Sequence, residues 1–373
     1  RIIRKDINTN GGLLPASFNT YNVVEAGDII IRPTDLQNDK RSLRTGLVKE
    51  QGIITSAYID LRPKDNVNSK YYHYLLHSYD IIKVFYNMGN GVRQGLNFSE
   101  FAKLLLLEPP KVQQQQITDF LDTQCSEIDA TAEDIQKEIS FLEDYKKSVI
   151  TEAVTKGLNP DAEMKDSGIE YIGITPIHWN KYRLKYILLE RNIRTTTGEE
   201  MLLSVSQYKG VVPSKDINNR TMQANSLIGY KIVKKNDLVF NKLNPGLARF
   251  GTSEFDGITS PDFSVYIVDN KKCTAKFLQH LLKTYKYVAK IKGDCTGVGD
   301  GFARLYSEQL YRFVVSLPPI EELHSIVAYI DSKCIEIDTL IADKKRQLDI
   351  LAEYKKSLIY EYVTGKKEVP VNE

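Results

Sequence analysis

The chain has 373 residues and a mass of 42.5 kDa, which predicts more than one folded module. Its 50 Lys and Arg residues against 48 Asp and Glu residues leave a net charge of +2, which argues against a strongly basic nucleic-acid binder. No run approaches the roughly 20 apolar residues of a membrane span. Four cysteines without a CxxC pair predict a reduced, cytoplasmic chain with neither a disulfide framework nor a zinc ribbon.

The chain begins with a region that predicts a mixed α/β domain. Residues 23–31 and 53–61 have the composition of strands, and 71–86 has that of a helix. A glycine-rich loop at 89–91 precedes a last predicted strand at 104–107.

A long helix is predicted next. Pro109 and Pro110 suit a helix start, and Gly157 suits its end. Apolar residues recur between them at alternating steps of four and three, the heptad seam of a coiled coil. A single helix of about 40 residues, roughly 60 Å long, needs a partner for such a stripe. The predicted seam residues are Leu121, Ile128, Ile135, Ile139 and Leu142.

The second half of the chain repeats the first at a shift of 209 residues. Residues 109–155 match residues 318–364 at 18 of 47 positions, so the partner helix is predicted to be the duplicate. Ahead of it, strands are predicted at 236–240, 263–268 and 312–317 and a helix at 275–291. The seam residues of the second helix are Ile330, Ile337, Ile341, Leu348 and Leu351.

The predicted fold class is α/β (α+β), with two mixed α/β domains in a pseudo-twofold tandem repeat and two long helices forming an antiparallel coiled coil. The predicted modules are 1–108, 109–160, 161–317 and 318–373. The stretch from Met164 to Lys209 has no counterpart ahead of Arg1, so the N-terminal part of the first domain is expected to be missing.

Charge divides along the same boundaries. Residues 1–108 carry 14 basic and 11 acidic groups, and residues 161–317 carry 23 and 16. Residues 109–160 carry 5 basic and 10 acidic groups, and residues 318–373 carry 8 and 11. Two basic domains suit a phosphate backbone, whereas the acidic helices suit protein partners.

No catalytic motif stands out. The chain lacks a GxxxxGK[ST] phosphate loop and the Asn-Pro-Pro-aromatic run of an amino-methyltransferase. His73 and His77 are four residues apart on a predicted helix, but no third metal ligand accompanies them. The sequence therefore predicts no catalytic residue and no metal site.

Two variable domains, each followed by a Pro-Pro-led helix that ends near Tyr-Lys-Lys-Ser, resemble the specificity (S) subunits of type I restriction–modification systems. The run from Lys165 to Gly173, followed by Pro176 and Trp179, looks like the opening of a target recognition domain in that family. Arg183-Leu184-Lys185-Tyr186 adds to the likeness, which covers essentially the whole chain.

The resemblance implies that each target recognition domain reads one half of a bipartite site in double-stranded DNA, while the helices set the spacing. It implies docking of two methyltransferase (M) subunits, which carry S-adenosylmethionine, and two restriction (R) subunits, which use ATP and Mg. No cofactor is expected in this chain, and no membrane partner. Two alternatives stay open: a fragment of a fused restriction–methyltransferase enzyme, and a coiled-coil adaptor that binds other proteins.

Candidate DNA contacts are chosen by side-chain chemistry, because Arg and Lys suit guanine edges and phosphates whereas Asn and Gln suit adenine. The candidates of the first domain are Arg32, Lys40, Arg41, Arg44, Arg93 and Gln94. Those of the second domain are Lys209, Lys242, Asn244, Arg249, Lys292 and Arg304.

Overall fold

The structure is a computed structural model. It describes residues 2, 17–36, 43–64, 66–86, 88, 95–207, 210–216, 226–243, 245–296 and 303–370. The chain forms two compact units: the first unit comprises Arg1–Glu138 with Asp343–Glu373, and the second unit comprises Ile139–Ala342. Each unit therefore contains one globular region together with parts of both long helices.

The described residues of the first unit form five short strands: β1 (Asn22–Val24), β2 (Ile29–Ile31), β3 (Thr45–Leu47), β4 (Gly52–Ile54) and β5 (Ile59–Leu61). Antiparallel pairing gives a sheet of order β3-β2-β5 and a separate β1-β4 ribbon. The predicted strand 23–31 is thus two strands, because a turn at 25–28 uses the positive φ of Gly27. The predicted strand 53–61 is likewise interrupted by a turn, in which the N–H of Tyr58 donates to the carbonyl of Thr55.

The part of this globular region that the structure describes also has two helices, α1 (Ser69–Ile81) and α2 (Phe98–Phe101). The side chain of Asn68 caps α1 by accepting from the N–H of Tyr71. Helix α1 ends before the predicted residue 86, since Lys83 adopts a positive φ of 62°. The predicted strand at 104–107 is wrong, because no strand among the described residues pairs with it.

The second unit is richer in strands. They are β6 (Met164–Asp166), β7 (Ile174–Pro176), β8 (Asn180–Arg183), β9 (Leu188–Glu190), β10 (Leu203–Ser206), β11 (Gly210–Pro213), β12 (Lys231–Val233), β13 (Leu238–Asn241), β14 (Phe250–Thr252), β15 (Gly257–Thr259) and β16 (Phe263–Val268). Its largest sheet has the order β14-β13-β16-β9. The β12-β15 ribbon matches β1-β4, with Gly257 opposite Val233 as Gly52 is opposite Val24.

The helices of the second unit are α4 (Ala275–Leu282), α5 (Tyr285–Gly293) and α6 (Ser307–Tyr311), followed by the strand β17 (Val314–Leu317). The single helix predicted at 275–291 is therefore two, interrupted at Lys283 and Thr284. The Thr284 hydroxyl donates to the carbonyl of Leu281 there. The final strand is shorter than predicted, and it pairs with β8.

Two long helices are confirmed: α3 (Lys111–Lys156), of 46 residues, and the last helix, of 44 residues. We number the latter by chain order as α7 (Ile320–Val363). In the first unit, the start of α3 packs against the end of α7, with Leu121 and Leu358 in one buried cluster. In the second unit, the end of α3 packs against the start of α7, with Val154 and Ile326 in one cluster. The helices thus run antiparallel within each unit, as the mixed α/β fold with two long helices predicts.

The heptad positions lie on the packed side of the helices. Seven of the ten predicted seam residues are buried: Leu121, Ile128, Ile135, Ile139, Ile330, Ile337 and Ile341. Leu142, Leu348 and Leu351 are half-buried. Among the helices that the structure describes, none is long and apolar enough to cross a membrane.

Candidate DNA interface

The same kind of turn precedes the central strand of each unit, which is β2 in the first unit and β13 in the second. In the first unit the buried carboxylate of Asp28 accepts from the N–H of Glu25 at 2.8 Å, and in the second unit Asp237 accepts from Lys234 at 2.8 Å. Gly27 and Asn236, which occupy the equivalent position, both have positive φ. Each aspartate is paired with an arginine: Arg62 for Asp28 and Arg191 for Asp237. The turn therefore fixes the direction in which the chain enters β2 and β13.

The chain leaving each central strand is held by two matching backbone hydrogen bonds. The N–H of Arg32 donates to the carbonyl of Arg44 at 2.8 Å, and Asn241 donates to Arg249 at 3.0 Å. The carbonyls of Pro33 and Lys242, 209 residues apart, accept from the residues ahead of α2 and α6. In both units the residues that follow the central strand are thus hydrogen-bonded to a residue just ahead of the short helix.

Four of the second-domain candidates surround the short turn Pro245–Leu247. Lys242 precedes this turn and Arg249 follows it, and an isolated bridge joins Leu243 to Arg304. The side-chain methylenes of Lys292, at the end of α5, lie against Gly246. A Cβ added to Gly246 would come 3.3 Å from Cγ of Lys292. Arg249, Lys292 and Arg304 are exposed, and Lys242 is half-buried. We call these four residues the basic face.

A partly buried ion pair lies close to Lys242 of the basic face. Lys231 Nζ is 3.3 Å from Glu190, which also accepts from the Ser307 hydroxyl at 2.6 Å. Burial and the charge of Lys242 lower the pKa of Lys231. Burial raises the pKa of Glu190, but the Ser307 hydrogen bond and the charge of Lys231 outweigh it and leave that pKa lowered. Because Glu190 is matched by Lys231, the charge of Lys242 adds to a positive surface.

The described candidates of the first domain are less exposed. Arg44 is buried, and its guanidinium donates to the carbonyls of Thr34 and Asp35 and to the Tyr86 hydroxyl. This placement gives Arg44 the role of holding the loop after β2, in contrast to its exposed counterpart Arg249. Arg32 is half-buried beside it.

Six candidates lie outside the described residues: Lys40, Arg41, Arg93, Gln94, Lys209 and Asn244. The structure also adds Tyr306, which sequence chemistry did not single out. This half-exposed tyrosine lies two residues after Arg304 and is the N-cap residue of α6, where its backbone N–H donates to the side chain of Gln309. Its place after a basic residue and before a short helix is the signal that could have identified it.

His73 and His77 lie on α1, where His77 contacts Thr45 of β3. The rings of His73 and His77 stack at 6.0 Å, and Nδ1 of His77 is 3.1 Å from the Thr45 hydroxyl. Burial lowers the pKa of His73 to about 4 and also lowers that of His77, so both rings are neutral at pH 7. Within the part of the chain that the structure describes, no group of three or more His, Cys, Asp or Glu side chains could hold a metal ion.

Comparison with known proteins finds similarity in sequence and, separately, similarity in fold. A family model described as the type I restriction modification DNA specificity domain matches residues 19–140. A putative type I restriction enzyme MjaX specificity subunit from Methanocaldococcus jannaschii is 25% identical over 329 residues, covering 83% of this chain and 71% of the relative.

Two solved structures share the fold. A chain from a study of complex assembly and conformational transition in a type I R-M system has a TM-score of 0.67 at 13% identity, covering 92% of this chain and 84% of that one. The HsdS subunit from Thermoanaerobacter tengcongensis has a TM-score of 0.51 at 14% identity, covering 92% and 82%. Residues 19–140 thus match the model of the type I restriction–modification DNA specificity domain, and the chain resembles a type I specificity subunit in sequence and shares the fold of two solved type I structures over most of its length.

Proposed function

We propose that this chain is the DNA specificity subunit of a type I restriction–modification complex, in which each globular domain reads one half of a bipartite site. The observation that carries the proposal is the repeated construction of the candidate interface. Both units join the loop after the central strand to the segment before a short helix by the same backbone hydrogen bond, from Leu96 to Pro33 and from Leu305 to Lys242. A duplicated surface suits two half-sites, because each copy can vary its side chains without altering its backbone.

The basic face supplies the chemistry for the second half-site. Exposed arginine and lysine side chains neutralise phosphates and read guanine edges in the major groove. Arg249, Lys292 and Arg304 are suited to this task because they are exposed and attached to well-bonded backbone. The half-exposed ring of Tyr306 offers a further hydrogen-bonding group beside them.

The long helices are proposed to set the spacing between half-sites and to dock two M subunits. Each helix carries an exposed apolar pair at i and i+4, Phe141 and Tyr145 on α3 and Ile350 and Tyr354 on α7. The two pairs are related by the 209-residue repeat, so they offer two equivalent patches on an acidic helix surface. Large exposed apolar groups of this kind are typical of protein interfaces.

This role assigns the chemistry to the partners. The chain itself is proposed to be non-catalytic and to carry no cofactor. S-adenosylmethionine belongs to the M subunits in this proposal, and ATP with Mg belongs to two R subunits. Double-stranded DNA is the substrate that all of them share.

A DNA gel-shift at increasing salt, with the M subunit present, tests the proposal. Lys292→Gln should weaken binding and reduce the slope of log K against log salt by about 0.9 if one phosphate contact is lost. Lys333→Gln, on the acidic surface of α7, is the matched control and should leave both unchanged. Absence of DNA binding by the assembled proteins, or an equal loss in both variants, would refute the proposal.

A further inference from the structure

Glu190 holds a partly exposed carboxylate on β9, the edge strand of the largest sheet of the second unit. The Ser307 hydroxyl donates to one carboxylate oxygen at 2.6 Å, and Lys231 Nζ lies 3.3 Å from the other. The Ser264 hydroxyl lies 3.4 Å from that second oxygen. The side chain of Glu190 is nevertheless 27% exposed, so its carboxylate is held by three groups and remains open to solvent.

Further hydrogen bonds make this arrangement rigid. The Tyr266 hydroxyl is 2.9 Å from the Ser307 hydroxyl, and the backbone N–H of Glu190 donates to the Tyr311 hydroxyl at 3.2 Å. The side chain of Lys231 is only 3% exposed, so its ammonium stays beside the carboxylate. An accessible carboxylate that is supported in this way keeps one orientation, which is what selective recognition of a base edge requires.

The carboxylate also lies close to the basic face. The charge of Lys242 contributes to the lowered pKa of both Glu190 and Lys231, which places its ammonium near the pair. The carbonyl of Lys242 accepts from the N–H of Leu305, and Ser307 begins α6 two residues later. Because Lys231 balances the charge of Glu190, the carboxylate can approach a duplex that the basic face attracts.

The two copies of the repeat differ at this network. At the 209-residue shift, Lys231 corresponds to Asn22 and Ser307 corresponds to Phe98, so the first copy has neither the ammonium nor the hydroxyl at these positions. The aspartate of the turn ahead of the central strand, by contrast, occurs in both copies. Residues that only support the shared fold are expected in both copies, whereas residues that read different half-sites are expected to differ.

We propose that Glu190 reads a cytosine in the half-site of the second domain by accepting a hydrogen bond from the N4 amino group in the major groove. Lys231 and Ser307 act as positioning residues. This inference rests on the proposed function and assigns one base within it. A carboxylate only accepts hydrogen bonds, and cytosine presents only its amino donor in that groove. Guanine and thymine present acceptors there, and adenine has the N7 acceptor beside its amino group, so each of these bases sets an acceptor against the carboxylate.

Selection from a random DNA pool by the chain with its M subunits identifies the position that Glu190 reads. The parent chain should prefer cytosine at one position of one half-site by about tenfold, and Glu190→Gln should lose that preference while keeping the others. Ser307→Ala should relax the same position, and Ser307→Thr should retain it. Glu254→Gln removes an exposed acid in the turn between β14 and β15, and as the matched control it should leave the motif unchanged.

A change in the DNA tests the contact without altering the chain. Pyrimidin-2-one is cytosine without its amino group. At the identified position it should weaken binding by the parent chain about tenfold, as the loss of one base contact does. The same replacement should change little for Glu190→Gln, because that variant has already lost the contact.

Three results would overturn the inference and leave the proposed function standing. The first is a split motif that Glu190→Gln selects with every preference intact, or with only a preference for a base other than cytosine lost. The second is parent binding that tolerates pyrimidin-2-one at every cytosine of both half-sites. The third is equally weaker binding of Glu190→Gln to all sequences, which would give Glu190 a role in the fold alone. Absence of DNA binding by the parent chain with its M subunits would instead refute the proposed function and the inference together.

Discussion

Lys355 Nζ on α7 lies 2.6 Å from the carboxylate of Asp129 on α3 within the first unit. In the second unit Lys146 on α3 lies 2.6 Å from Asp338 on α7. The two pairs are related by the 209-residue shift, so each copy of the Tyr-Lys-Lys-Ser motif contacts the Glu-Ile-Asp motif of the other copy. Because both pairs are partly exposed, each is worth about 0.2–1 kcal/mol, and their main effect is on the register of the two helices.

We predict that replacing Arg191, the partner of Asp237, destabilises its unit more than replacing Arg62, the partner of Asp28. The Arg191 side chain is 17% exposed and that of Arg62 is 51% exposed. Arg191→Met should therefore leave Asp237 buried without a counter-charge and destabilise the second unit by about 3 kcal/mol. Arg62→Met should destabilise the first unit much less, because water can solvate Asp28 where the exposed guanidinium was. Hydrogen exchange of the amides in β13 and β2 measures the two losses of stability. Equal losses of protection would show that the exposure of the arginine does not matter.

Acid stability should depend on Asp28. The hydrogen bond from Arg62 holds the pKa of Asp28 below its usual value. A lowered folded pKa gives stability that is complete above the unfolded pKa of about 3.9 and is lost as pH falls through the folded pKa. Unfolding of the first unit between pH 6 and pH 2 should therefore be less pH-dependent in Asp28→Asn than in the parent chain.

The comparison is best made in an Asp60→Asn background. Burial, with the Asp28 charge, raises the pKa of Asp60, so Asp60 titrates in the opposite sense. An unchanged pH dependence after Asp28→Asn in that background would show that the turn does not supply the acid-sensitive contribution.

Equivalent glycines in the two ribbons should respond differently to alanine. A Cβ on Gly257 would collide with the carbonyl oxygen of Met201 and lie 2.9 Å from Cγ of Leu203, whereas a Cβ on Gly52 meets no described atom within 4 Å. Gly257→Ala should therefore destabilise the second unit by about 1–3 kcal/mol, and Gly52→Ala should be nearly neutral. Thermal unfolding measures the loss of stability in each variant, and hydrogen exchange shows which unit is affected. A similar effect at both positions would mean that Met201 moves aside freely.

Docking of M subunits should depend on the exposed apolar pairs. Phe141→Asp on α3 and Ile350→Asp on α7 should each weaken one of two equivalent binding events, and the double variant should lose both. Ile335→Asp, an exposed apolar residue of α7 outside the repeated pair, is the control. Native mass spectrometry of the mixed subunits measures how many M subunits bind to each chain. Retention of two M subunits by the double variant would place the docking surface elsewhere.

Periodicity and duplication could predict the long helices, because a heptad seam is local information. Residues 128, 135, 337 and 341 are buried on that seam. The strand predicted at 104–107 could not be rejected from sequence, because its apolar run is strand-like and the structure departs from it only in showing no paired strand among the described residues. For the candidate interface, the burial of Arg44 likewise could not be predicted from sequence. Its chemistry equals that of Arg249, but the carbonyls of Thr34 and Asp35 hold it inside the domain.

Selection of bound sequences from a random DNA pool by the chain with its M subunits tests the central claim most directly. We predict an enriched motif of two short half-sites separated by a constant gap, and relaxation of one half alone in Arg304→Gln. A single uninterrupted motif, or no enriched motif at all, would contradict the assignment of one half-site to each domain.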